Sequence, residues 1–344
     1  MPLGARRTFR LGLVVALSLA LGYGMELQFP FFAPVFGLLL TATPAPPPGL
    51  KGLLGLTLLV TITLGVGLVV TPLLGKYPVS ALLIIAAGIY LSTYISVGLG
   101  KAFPGMLLAL GFALIPAVGL VSYGLAHDLI EGMLIGIGVA IVSQWIAYPF
   151  FPEDPLKQAT AKPPAVDAGE SGWIALRAVL IIFPPLLLCL SSPSQYVPII
   201  AKCVMLSQQG STVSARSAGR YMVAATFLAG WIAIVFWLVL KICPSLWMFF
   251  LWMLLVGIYC AGKLYGVIAS RFPPAFWSDV VVNILILLGP AVMDSATGKD
   301  VYRLFAIRFG LFVGVSLYAW FAFVALEWLR ARHRGAAPAV APAT

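Results

Sequence analysis

Charge is scarce in this chain of 344 residues: Asp, Glu, Lys and Arg make up 9% of it, against 61% hydrophobic residues. No soluble domain carries that balance, and a mean hydropathy of +1.04 points to a polytopic membrane protein. Polar linkers are scarcer still. The only polar, Pro/Gly-containing stretch runs over 153–172. It is too short for a domain, so no extramembrane catalytic module is expected and the chain is not read as an enzyme. Histidine is confined to His127 and His333. The first is expected in an outer loop and the second in a basic tail, which suits neither a haem nor a di-metal centre. Cys189, Cys203, Cys243 and Cys260 are scattered through apolar runs without CxxC spacing, as small buried residues are. No metal and no cofactor is therefore expected. A GxxxxGK[ST] loop is absent as well, so ATP is not a direct energy source.

The apolar runs that fill the chain predict an all-α bundle of about twelve spans. Their limits are 9–25, 28–43, 52–73, 79–97, 103–124, 129–151, 173–192, 196–209, 219–241, 245–262, 275–293 and 303–328. Most reach the roughly 20 residues that a bilayer requires. The second and eighth are shorter, and each carries a proline near its start, Pro34 or Pro198. Short segments at matching places in two halves point to a transporter's site. Arg6-Arg7-Thr8-Phe9 stands before an apolar run as an export signal does, but with no small-residue cleavage site the run is read as an uncleaved first span. The net charge of +10 comes from basic residues set singly at span ends, which suits a bilayer partner and not nucleic acid. Most of them fall on one side. Both termini are therefore expected in the cytoplasm, with the protein in a bacterial inner membrane.

The chain also reads as a duplication. Pro34, Pro78 and Pro116 correspond to Pro198, Pro244 and Pro290, and ALIPAV (113–118) matches LLGPAV (287–292). Two parallel six-span repeats are expected, over 1–152 and 173–334, joined by a cytoplasmic linker over 153–172 and followed by a disordered tail over 335–344.

An ionisable side chain near the middle of a span costs at least about 2.5 kcal/mol and is tolerated where it meets a partner or a wet cavity. Such residues gather in the second half, so that half is expected to carry the site. Lys202 lies about six residues into span eight, roughly 9 Å along a helix. Arg308 lies at a similar depth in span twelve, and Asp294 closes span eleven on the same face. Together they read as an anion site, with Lys202 and Arg308 meeting a substrate carboxylate and Asp294 exchanging protons; a static buried ion pair is the plain alternative. Asp279 and Asn283, four residues apart, share a helix face that could form an inner mouth and a second proton-coupling point. Gln208 continues the short eighth span in a polar stretch that should line a cavity or be buried in protein.

FRLGLVVALSLALGYG, PFFAPVFGLLL, STVSARSAGR, LWMFFLWMLLVGIYCAGKLYG and GPAVMDSATGKDVYRLFAIR resemble the fusaric-acid-resistance (FUSC) superfamily, which includes the aromatic carboxylic acid exporters. The likeness is nearest to a bacterial branch labelled a domain of unknown function. It implies an inner-membrane efflux component for aromatic carboxylic acids or similar amphipathic anions, and with no phosphate-binding loop the efflux is read as secondary active and driven by protons. It also implies a periplasmic adaptor of the membrane-fusion type as partner. The larger exporters of that superfamily have a sizeable cytoplasmic region that this chain lacks. A passive anion channel and a non-transporting scaffold of an envelope complex are the alternatives, and a homo-oligomer stays open as a further partner.

Overall fold

The computed structural model describes residues 1–43, 45–154, 168–191, 204, 215–296, 298 and 300–333. They form eleven helices of 11 to 33 residues, and no strand occurs among them. In chain order these are α1 (Leu3–Gly24), α2 (Phe32–Ala42), α3 (Leu50–Lys76), α4 (Pro78–Val97), α5 (Ala102–Val121), α6 (Tyr123–Ala147), α7 (Ala168–Ser191), α8 (Ala215–Ile242), α9 (Leu246–Leu264), α10 (Pro274–Ala296) and α11 (Val301–His333). Lipid offers backbone groups no hydrogen bonds, so an apolar run satisfies its own as a helix. The hydroxyls inside these runs do likewise. Thr57 donates to the Leu53 carbonyl at 3.0 Å, and Ser143 to that of Val139 at 2.8 Å.

Of the twelve or so apolar spans expected, with the second and eighth short, the first also falls short of a full span. Nine described helices, α3 to α11, have the length and apolarity to cross a membrane. The helix α1 carries Arg6, Arg7 and Arg10 in its first turns and is not among them. At 11 residues α2 is too short, held between an aromatic turn at 29–31 and a proline-rich stretch ending at Pro48. The eighth expected span, 196–209, lies outside the described residues apart from Val204. His127, expected in an outer loop, stands in α6, which starts at Tyr123 because Ser122 accepts a capping hydrogen bond from the Leu125 amide.

One end of the bundle is basic. There the start of α1 meets the segment after α6: Arg6 holds both carboxylate oxygens of Asp154 at 2.8 Å, and Arg10 holds Glu153 at 2.6 Å. At the same end Trp173 and Arg177, early in α7, donate to Glu327 near the end of α11, at 3.0 and 2.6 Å. The Tyr265 hydroxyl, just after α9, donates to the Ala42 carbonyl at the end of α2, at 3.1 Å. The chain thus enters and leaves the bundle at one face. Helices α7 and α8 run in the same direction, whereas the other neighbours in sequence alternate.

Packing crosses between the expected halves. Helix α1 lies against α9, with Gly12 and Gly257 backbone to backbone, and α7 lies against α4. One large apolar core gathers residues of α2 to α7, and a second gathers α1 and α2 with α8 to α10. Helices α3 and α5 cross closely: a Cβ on Gly111 would meet the Thr63 carbonyl oxygen at 2.0 Å, so only glycine fits there.

Candidate functional site

Between the halves lies a cavity of about 200 Å³, well above the ~10–15 Å³ that one water needs. Its walls are almost wholly apolar. Phe32, Phe36 and Leu39 come from one stripe of α2, at the i, i+4, i+7 spacing of a helical face. The aromatic turn before α2 adds Phe29 and Phe31, whose rings lie 5.9 and 4.7 Å from that of Phe32. Met106, Leu110 and Leu114 face it from α5, and Leu129 and Met133 from α6. From the second half come Ile286 and Pro290 of α10 and Phe312 and Arg308 of α11.

Among the described residues, Arg308 is the charged one in those walls. Its Nη1 donates to Oδ2 of Asp294 at 2.6 Å. The turn between α10 and α11 makes this pair, because the two helices run back to back from it. Asp300 fixes the turn by accepting from the Arg303 amide at 3.1 Å. The Asp294 side chain is 9% exposed and that of Arg308 22%. Two of the expected site residues are therefore joined, in the apolar setting that gives a charge-assisted hydrogen bond its strength.

The other expected residues fall elsewhere. Lys202 and Gln208 lie outside the described residues. Asn283 is buried in α10 but does not line the cavity. Asp279 is half-buried near the start of α10. Fifteen residues separate it from Asp294, about 22 Å along a helix, so the two carboxylates cannot serve one group at the same time.

The charged wall residue comes from the half expected to carry the site, and the apolar walls come largely from the other half, where composition shows few ionisable residues. The signal for them is the run Phe29-Pro30-Phe31-Phe32 with Phe36 one helical turn later. An aromatic pattern of that kind also describes any lipid-facing helix, and only the fold turns it inward.

At the start of α6, His127, Asp128 and Glu131 bring their ligand atoms within 4.8 Å of one another. His127 and Glu131 are exposed, and Asp128 accepts from Gln28 at 3.1 Å, as a solvated polar surface does.

Residues 7–147 match a family model described as "Protein of unknown function (DUF2955)". Comparison with curated proteins and with solved structures gives no match. The matched stretch closes at the end of α6. It takes in Phe29, Phe31, Phe32 and Phe36 of the cavity wall and leaves out Phe312, Arg308 and Asp294.

Proposed function

We propose that this chain is a secondary active exporter of amphipathic anions, of which aromatic carboxylates are the best fit. One observation carries the proposal: an aromatic cavity between the halves of a membrane bundle whose charged wall residue is a guanidinium, Arg308. Aromatic and aliphatic walls suit a ring, and a guanidinium suits a carboxylate, which it binds in a planar fork. The likeness to the fusaric-acid-resistance superfamily points to the same substrate class.

The pair with Asp294 suggests the coupling. A substrate carboxylate at Arg308 competes with Asp294 for the same donors. A buried carboxylate that gives up the Arg308 hydrogen bond is costlier to keep charged, and taking up a proton lowers that cost. Anion binding and proton uptake are then linked at one site, so movement of the anion is coupled to movement of a proton. The basic face, with Arg6, Arg7, Arg10, Lys101, Arg177, Lys263 and Arg330, supports an inner-membrane placement with both chain ends in the cytoplasm.

The test uses 1-naphthoate as probe in proteoliposomes with an imposed pH gradient. Wild-type protein is expected to move the probe uphill. Asp294→Asn is expected to lose uphill flux while keeping downhill exchange. Flux that ignores the gradient would make the protein a passive anion channel, and no flux under any gradient would leave a scaffold.

A further inference from the structure

A second chamber opens at the face opposite the basic one. It has a volume of about 340 Å³ and is more open than the first. Tyr23, Trp237, Leu240 and Phe249 wall it, and Lys241 stands at its edge. The Lys241 Nζ donates to the Tyr302 hydroxyl at 3.0 Å and makes no ion pair among the described residues. Ser245, which caps α9, and Leu246, its first residue, are also in the wall, so the positive end of that helix adds to the lysine. This chamber repeats the chemistry of the inner cavity, with aromatic walls and, among the described residues, a single cation.

Between the two chambers the structure is tight. Phe31 belongs to the inner cavity and Tyr23 to the outer chamber, and both line a void between them that is too small for a water. The barrier is pinned by the Tyr23 hydroxyl, which donates to the Gly289 carbonyl at 3.0 Å. It is filled by Phe31, whose Cβ would lie 2.4 Å from a Cβ at position 289. Gly289 precedes Pro290, which lacks an amide hydrogen to bond the carbonyl four residues back, so this turn of α10 is held by fewer bonds of its own.

From the two like chambers and the layer between them we propose a second anion site at Lys241, for amphipathic aromatic carboxylates, separated from the Arg308 cavity by a gate of Tyr23 and Phe31. The proposal rests on the transport function above. Its test reads accessibility and not flux, so each can fail alone.

The four native cysteines are replaced by alanine and one cysteine is placed at a time, as Val292→Cys in the outer chamber or Met133→Cys in the inner cavity. The protein is labelled in proteoliposomes with a membrane-impermeant maleimide on the Lys241 side. Val292→Cys is expected to label fast, and Met133→Cys about tenfold slower or more, as for an open state populated at ~10% or less. Phe31→Ala is expected to bring the second rate up to the first. Tyr23→Phe removes only the bond to Gly289, should the alanine variant not fold, and is expected to raise the rate part of the way. Addition of 1-naphthoate should slow labelling of Val292→Cys, and Lys241→Gln should abolish that protection. Equal rates at both positions in the parent, or a Met133→Cys rate that neither gate variant raises, would overturn the gate. Protection by naphthoate that is absent, or that survives Lys241→Gln, would overturn the site.

Discussion

At Glu153 two effects oppose each other. Burial pushes its proton affinity up, while hydrogen bonds and charge from Arg7 and Arg10 pull it down; the arginines win and hold the carboxyl below its ordinary range. A carboxylate whose folded value is depressed stabilises the fold above its unfolded pKa of about 4.3, and that stability is lost as pH falls through the folded value. The side chains of Glu153 and Arg10 are 3% and 4% exposed, so removing one partner leaves a buried charge, at a cost of about 3–5 kcal/mol. Glu153→Gln is expected to lower the thermal midpoint at pH 7 and to flatten the acid-side fall that wild type shows below about pH 4.3. An unchanged midpoint at pH 7 would contradict the pairing. None of this was legible in the sequence. The arginines were visible as basic residues ahead of the first apolar run, and Glu153 and Asp154 as the start of a linker, but a pair 143 positions apart has no local signature. Arg308 and Asp294 are the converse case. They stand 14 positions apart around one turn, and charge at matching depth in two adjacent spans is enough to find them.

Among the elements, α10 shows how a legible motif can have an illegible partner. The LLGPAV match marks this helix as important and Pro290 as its special turn. Only the fold shows that Gly289 is where Phe31 packs, with 2.4 Å available to a new Cβ. Gly289→Ala is expected to destabilise by about 1–3 kcal/mol through overpacking, and to weaken naphthoate binding because Phe31 also lines the cavity. Gly138 in α6 is the control. No described atom lies within 4 Å of its added Cβ, so Gly138→Ala should be neutral or stabilising. Thermal midpoints of the two variants decide between them, and equal midpoints would contradict the close approach. The short α2 was legible from Pro34 and the proline-rich turn after it. The early start of α6 was not, because a Tyr-Gly-Leu-Ala-His-Asp stretch looks like a loop until Ser122 is seen to cap it.

For the whole molecule, the helices of the two expected halves pack in like pairs. Helix α3 packs on α5 and α6, and α8 packs on α10 and α11; α4 packs on α5, and α9 on α10. The exchange of α1 onto α9 and of α7 onto α4 has the same symmetry. Prolines and span lengths lead to the expectation of a repeat, but they cannot show that the first helix of each expected half packs against the other half. Sidedness is open to direct test. Reporter fusions after Arg334 and at Glu26, in the turn after α1, are expected to report opposite sides, the first cytoplasmic. Signals from one side only would contradict the common entry and exit face.

The central claim is that a carboxylate ligand takes Arg308 from Asp294, and proton linkage measures this most directly. Calorimetric titration of the purified protein with 1-naphthoate, run in two buffers of different ionisation enthalpy, counts the protons taken up on binding. Uptake of about one proton per anion is predicted for wild type, none for Asp294→Asn, and no binding for Arg308→Ala. Binding by wild type without proton uptake, or undiminished binding by Arg308→Ala, would contradict the account.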